Sequence, residues 1–224
     1  MLKKLANLWK ADNLLQQAWD QSFEMLEIDR AMFLESVRIL RESDDANFRQ
    51  EIREKDKIVN KYEREVRRKV ITHCTIQGPT SIPAGMVLVS IIIDIERIGD
   101  FAKNLVDLAE RHPEKLHGGL FEERLKRVED GVKDNFGRTR ECLEESDEEA
   151  ARALLEEYKW INKACDEALS DLILEKDKTL KPGDAVALAL YFRWLKRTNA
   201  HLRNITTSVV NPFDRIGYQP KDDK

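Results

Sequence analysis

The acids of residues 91–110 are the side chains of this chain with the clearest potential for chemistry. The segment reads IIIDIERIGDFAKNLVDLAE. Glu96 and Asp100 are four residues apart, so on a helix both carboxylates lie on one face and can reach a common point. Two converging carboxylates must be neutralised by a hard cation, by basic side chains or by protons. The spacing therefore predicts either a cation site or a charged helix face.

The apolar residues of the same segment predict the helix that positions these acids. Positions 91, 95, 98, 102, 105 and 109 read Ile, Ile, Ile, Ala, Leu and Ala. Steps of three and four residues place them on one face of a helix that packs in a bundle. Glu96 and Asp100 lie one position further round, at the edge of this apolar face.

The composition predicts an all-α fold. The 224 residues include only six prolines and nine glycines, which cluster at a few breaks and leave long stretches with helical periodicity. Charged residues make up 36% of the chain, yet the net charge is only -4. Opposite charges are therefore interspersed, and nucleic acid is not expected as a partner. The longest strongly apolar run, residues 86–93, is too short to span a bilayer.

The two halves of the chain repeat one pattern. The third helices align at an offset of 100, which pairs Leu88, Arg97 and Asn104 with Leu188, Arg197 and Asn204. The second helices align at an offset of 103, and each opens with a serine, Ser43 or Ser146, that is predicted to cap it. The chain is therefore expected to contain a three-helix unit twice.

The breaks define the expected fold. They leave six helical segments, at about residues 4–42, 44–76, 80–111, 117–145, 147–178 and 182–210. Six long antiparallel helices of this kind would form two tandem three-helix bundles. We expect one bundle at residues 1–113, a second at 114–212 and a polar tail at 213–224.

Two segments of the first half resemble the PhoU family. Residues 94–104, DIERIGDFAKN, are similar to that family's third helix, where an acid is followed four residues later by an aspartate. Residues 54–62, EKDKIVNKY, are similar to its second helix, whose acid and following aspartate or asparagine face the same site. The likeness runs from about Leu5 to Val210, specific in the first half and only architectural in the degenerate second half. The resemblance implies a cytoplasmic accessory protein that regulates phosphate uptake and phosphate signalling, acting on a phosphate transporter ATPase or a sensor kinase.

Some members of that family carry multinuclear metal clusters on these acidic motifs. Here Asp56, Asn60, Glu96 and Asp100 would supply oxygen ligands from two helices, a partial shell for iron, zinc or magnesium. The alternative is a solvated face on which Glu96 and Asp100 pair with Lys103, with their neighbour at position 97 or with a lysine on an adjacent helix.

The second half lacks this set of oxygen groups. The positions that match Glu96, Asp100, Asp56 and Asn60 hold Lys196, Ala200, Lys159 and Lys163. No metal is therefore expected there. The lysines, together with Arg197, either form a surface for an anion or an acidic partner, or are solvated side chains whose stems lie along the bundle.

No catalytic residue is predicted. Glu114 and His117 have the ExxH spacing of di-iron bundles, but Pro113 and Gly118 place them in a connector, so we discount them. The chain contains no glycine-rich phosphate loop, nucleophile elbow or zinc-protease motif. The sequence does not favour an enzyme.

The first ten residues, MLKKLANLWK, do not resemble a signal peptide, so we expect an intracellular, cytoplasmic protein. Their lysines and Trp9 form a short basic amphipathic start. This start is compatible with peripheral contact to a membrane or a transporter, although an ordinary helix beginning is the simpler interpretation.

Three functions remain open from the sequence. The first is a non-enzymatic regulator of phosphate uptake with one carboxylate metal site. The second is a helical scaffold or docking protein that binds no metal, and the third is a metal-dependent enzyme of the bundle type, which would need histidines near the acids. Long helices with apolar faces also make a homodimer an expectation.

Overall fold

The computed structural model of the chain describes residues 14–42, 47–112 and 114–220. These residues form six long helices: α1 (Leu14–Glu42), α2 (Asn47–Gln77), α3 (Ile82–Arg111), α4 (Glu122–Glu145), α5 (Glu148–Ile173) and α6 (Pro182–Val210). No strand occurs within the described ranges. The all-α prediction of two three-helix bundles is confirmed.

The first bundle consists of α1, α2 and α3, which pack against one another. The apolar face of α3 forms its centre: the side chains at positions 91, 95, 98, 102 and 105 are at most 1% exposed, and Ala109 is partly buried. Each large apolar side chain buried in this way contributes about 1.5–3 kcal/mol relative to an exposed one. The predicted stripe therefore marks the face that fixes α3, and with it Glu96 and Asp100.

The second bundle consists of α4, α5 and α6, and it packs on the first mainly through α3 and α6. Polar contacts add to this interface. The Asp94 carboxylate of α3 lies 2.7 Å from His201 Nδ1 and accepts a hydrogen bond of 3.0 Å from Asn204 on α6. Arg41 at the end of α1 forms ion pairs with Glu122 and, at 3.0 Å, with Glu129 on α4. The two bundles are thus joined at more than one point.

Two helices differ from their predicted bounds because of local backbone conformation. The α4 helix begins at residue 122 rather than 117, after a 3₁₀ turn at Gly119–Phe121 in which Gly119 has a φ of 53°. The α5 helix ends at residue 173 rather than 178, and Glu175 beyond it has a φ of 51°. A left-handed residue cannot continue a right-handed helix.

The predicted cap of α5 at Ser146 is wrong. Ser146 has a φ of 51° and closes α4, where its backbone N–H bonds to carbonyl groups of that helix. Asp147 caps α5 instead, because its Oδ1 atom accepts hydrogen bonds from the N–H groups of Glu149 and Ala150 at 3.0 and 3.1 Å. The predicted cap position was therefore one residue too early in the sequence.

Some sequence predictions lie outside the described residues. These are the cap at Ser43, the basic start with Trp9, and the domain boundary at Pro113. The division of the chain into domains therefore stays a prediction. Within the described part of the chain, none of the helices is both long enough and apolar enough to cross a membrane.

Candidate functional site

The acids predicted from the sequence meet on one side of the first bundle, where α2 faces α3. Lys103 connects them: its Nζ atom lies 2.9 Å from Asp100 Oδ1 and 3.2 and 3.3 Å from the two carboxylate oxygens of Asp56. Burial alone would lower the pKa of Lys103, but the hydrogen bonds to Asp100 and Asp56 raise it. The lysine is therefore a protonated partner of both acids.

Glu96 lies beside this group and is less well neutralised. Its nearest basic partner is the side chain of Arg97, whose Nε atom is 3.6 Å away and which is 54% exposed. Burial raises the pKa of Glu96, and the negative charge of Asp100 raises it further. Arg97 also pairs with Asp100 at 3.0 Å.

Asn60 takes a different role from the one predicted by spacing. Its side-chain amide donates a hydrogen bond of 2.9 Å to the backbone carbonyl of Asp56, one turn earlier on α2. The amide is thus bound to its own helix, and the acids of the group come from Asp56, Glu96 and Asp100.

Sequence reasoning missed a fourth acid, Asp29 of α1. Its side chain is 0% exposed, and neither carboxylate oxygen has a hydrogen-bond partner among the described residues. Burial raises its pKa well above the usual value, and the charges of Asp56, Glu96 and Asp100 raise it further. Asp29 therefore lies beneath the three predicted acids as a buried carboxyl group.

Gly99 makes room for this carboxyl group. A Cβ atom placed on Gly99 would lie only 2.6 Å from Asp29 Oδ1 and 3.6 Å from a methyl carbon of Val59. The absence of a side chain at Gly99 thus lets the Asp29 carboxyl group approach the backbone of α3. The one signal in the sequence for this contact is a glycine inside a helix that otherwise packs apolar side chains.

The described residues contain no group of three acidic, histidine or cysteine side chains placed to hold a metal ion as they stand. The side chains still suit a hard cation, since carboxylate oxygens are its preferred ligands. Lys103 lies between the carboxylates of Asp56 and Asp100, and the Asp29 carboxyl group has no hydrogen-bond partner among the described residues. A cation would therefore bind here only if Lys103 moved away.

The basic residues of the second bundle pair with nearby acids. Lys196 lies 2.6 Å from Asp166 on α5. Lys159 and Lys163 pair along α5 with Glu156 and Glu167, at 2.5 and 3.9 Å. Each of the three lysines therefore has a carboxylate partner, as expected of solvated side chains. Elsewhere, Glu114 and His117 lie in the non-helical connector, as expected.

Comparisons with known proteins connect this arrangement to one family. Residues 23–109 match the family model of the PhoU domain. The structure is similar to that of PhoU from Pseudomonas aeruginosa, with a TM-score of 0.79 and 19% identity over 88% of this chain and 95% of the other. It is also similar to the phosphate transport system regulatory protein PhoU from Streptococcus pneumoniae, with a TM-score of 0.77 and 13% identity over 88% of this chain and 93% of the other.

A comparison with the sequences of curated proteins finds no match. The family match covers the three helices of the first bundle that carry Asp29, Asp56, Glu96 and Asp100. The structural likeness extends over both bundles. The chain therefore contains a match to the PhoU domain at residues 23–109, and its described residues have the fold of the two PhoU structures over both repeats.

Proposed function

We propose that this protein is a non-enzymatic regulator of phosphate uptake and phosphate homeostasis. The observation that carries the proposal is the PhoU domain match over residues 23–109, which includes every acid of the candidate site. The similar protein from S. pneumoniae is described as a phosphate transport system regulatory protein. The partner would be a phosphate transporter ATPase or a sensor kinase on the cytoplasmic side of the membrane.

Within this role, the acids of the first repeat would serve as a cation site. Asp56, Glu96 and Asp100 would be the ligands for a hard cation such as magnesium or iron, with zinc as a further candidate. Asn60 would contribute only if its amide left the backbone carbonyl that it now binds. A cation bound here would join α2 to α3 and neutralise their repulsion.

A scaffold that binds no metal is the second candidate function, and one observation favours it. Lys103 already supplies a positive charge to Asp56 and Asp100 over 2.9–3.3 Å. In this case the acids and the lysine would form a structural ion-pair network, and partner binding would not depend on a cation. Both candidates predict docking on the same class of partner.

Deletion of the gene in its host, followed by complementation, tests the proposed function. We expect deletion to change the rate of radiolabelled phosphate uptake or the expression of phosphate-responsive genes, and the wild-type gene to restore it. Unchanged uptake and unchanged expression after deletion would contradict the regulatory role.

Amide substitutions separate the two candidates. The double variant E96Q/D100N removes two carboxylates of the site and should abolish complementation if a cation is needed. The matched variant D166N/E167Q removes two exposed acids of the second repeat and should complement fully. If E96Q/D100N also complements, and still captures a transporter ATPase or sensor kinase identified by mass spectrometry, the scaffold function is correct.

A further inference from the structure

The two repeats fill the same internal position in different ways. In the second repeat, Asn199 of α6 stands where α3 has Gly99, at the offset of 100 that relates the two helices. Its amide nitrogen donates to the Tyr158 carbonyl and to Asn162 Oδ1, both at 3.1 Å, and its oxygen accepts a hydrogen bond of 2.9 Å from Asn135. This position is therefore closed by neutral amides that satisfy one another.

The first repeat has an unpaired charge-bearing group at this place. Asn135 of α4 contacts residue 199, and Asp29 of α1 lies against residue 99. Unlike the amides of the second repeat, the Asp29 carboxyl group has no hydrogen-bond partner in the described residues. The fold itself does not require an acid here, because the second repeat packs without one. A buried carboxyl group without a partner is unfavourable unless a ligand or a proton compensates it.

The acidic side chains around Asp29 outnumber the basic ones that pair with them. Four carboxyl groups, those of Asp29, Asp56, Glu96 and Asp100, influence one another electrostatically. The basic side chains that pair with them are those of Lys103 and Arg97. Glu63 also acts on Glu96, but it is paired with Arg67 at 2.7 Å and adds no net charge. Four acids against two bases therefore leave two negative charges when all are ionised, which matches the charge of a divalent cation.

We propose that Asp29 is a buried ligand from α1 for a hard divalent cation, and that Lys103 is the side chain that this cation displaces from Asp56 and Asp100. The proposal rests on the cation site of the proposed function and extends it to a third helix. Ligands from α1, α2 and α3 would make the packing of the whole first bundle respond to the cation. At low cation concentration, Lys103 would form its ion pairs with Asp56 and Asp100.

Calorimetric titration of the full chain with Mn²⁺ tests this exchange. Mn²⁺ suits carboxylate ligands and its binding can also be followed by electron paramagnetic resonance. K103M keeps the length of the side chain without its charge, so it should bind Mn²⁺ about tenfold more tightly than wild type, equivalent to about 1.4 kcal/mol. K196M removes a lysine that pairs with one acid in the second repeat and should leave the affinity unchanged.

The contribution of Asp29 is measured in the K103M background. D29N/K103M should bind Mn²⁺ about tenfold or more weakly than K103M, as expected for the loss of one ligand of a metal site. D166N/K103M, which removes an exposed carboxylate elsewhere, should match K103M. A second variant, G99A/K103M, adds the Cβ atom that would press on Asp29 Oδ1 and should also weaken binding. Far-UV circular dichroism confirms that each variant is folded.

Equal Mn²⁺ affinity of K103M and D29N/K103M would overturn the role of Asp29. Equal affinity of wild type and K103M would overturn the displacement of Lys103. If K103M binds no Mn²⁺ at millimolar concentrations, the cation site itself is wrong. The regulatory function is tested separately by the deletion phenotype, so its failure would be distinguished from each of these results.

Discussion

Replacing Asp29 by asparagine is expected to stabilise the protein in buffer that contains EDTA and no divalent cation. Both oxygens of Asp29 lack a hydrogen-bond partner among the described residues, and the side chain is fully buried. Asparagine leaves an equally buried polar group but cannot ionise, so D29N removes only the cost of holding a carboxyl group with a raised pKa at high pH. A pKa that is one unit higher in the folded state is equivalent to about 1.4 kcal/mol, so we expect a gain of at least about 1.4 kcal/mol at pH 8. For a chain of this length, that gain corresponds to at least about 3–6 °C in the melting temperature.

The gain should depend on pH in one direction. Burial, and then the charges of Asp56, Glu96 and Asp100, raise the pKa of Asp29 in the folded state above its unfolded value. Between these two pKa values the folded state binds more protons than the unfolded state, so the stability of the wild type falls as pH rises, by at most about 1.4 kcal/mol per pH unit. D29N lacks this loss. The difference between the two proteins should therefore be smallest near pH 4 and grow towards pH 8.

Urea unfolding followed by circular dichroism at pH 5 and pH 8 measures this difference. D166N serves as the control, because Asp166 is exposed and paired with Lys196, and its substitution should change the unfolding free energy by less than about 1 kcal/mol. The reasoning would be refuted if D29N destabilised the protein at pH 8, or if its effect did not increase between the two pH values.

Two further predictions concern the contacts between the bundles, and both are measured by urea unfolding. The Arg41 side chain is 9% exposed and lies 3.0 Å from Glu129. R41M should therefore lose about 3–5 kcal/mol, because the buried Glu129 would keep only the hydrogen bond from Tyr191 and no cationic partner among the described residues. R38M removes an arginine that pairs with an acid on its own helix and should lose less than about 1 kcal/mol; equal effects of the two variants would contradict a special role for Arg41. D94A leaves donors on α6 unpaired, including His201, and should lose about 1–3 kcal/mol; an unchanged midpoint would show that Asp94 does not join α3 to α6.

The helical class, the two repeats and the face shared by Glu96 and Asp100 could all be predicted from the sequence. They depend on local periodicity, and apolar residues three and four positions apart define a buried helix face wherever they occur. The pairing of Lys103 with Asp100 also follows from spacing on one helix, at three residues. The contact of Lys103 with Asp56 could not be predicted from spacing on one helix, because it depends on how α2 is aligned with α3.

The burial of Asp29 was missed, although the sequence carries a signal for it. Residues 25, 26, 32 and 33, three and four positions away on either side, are Met, Leu, Met and Phe, so helical periodicity places Asp29 on the buried face of α1. Its burial depends on Gly99, 70 residues later in the chain, whose missing side chain leaves space for the carboxyl group. A contact between two helices that are distant in sequence leaves no periodic signal. The prediction of the α5 cap was wrong for a local reason: the adjacent residues Ser146 and Asp147 are both of types that commonly cap helices.

A crystal structure of the protein grown with Mn²⁺, analysed with anomalous diffraction, tests the central claim about the first repeat most directly. We expect an anomalous peak within coordination distance of carboxylate oxygens from Asp29, Asp56, Glu96 and Asp100, with Lys103 turned away from Asp56 and Asp100. A structure at saturating Mn²⁺ with no peak in the first bundle, and with Lys103 still bridging Asp56 and Asp100, would contradict it.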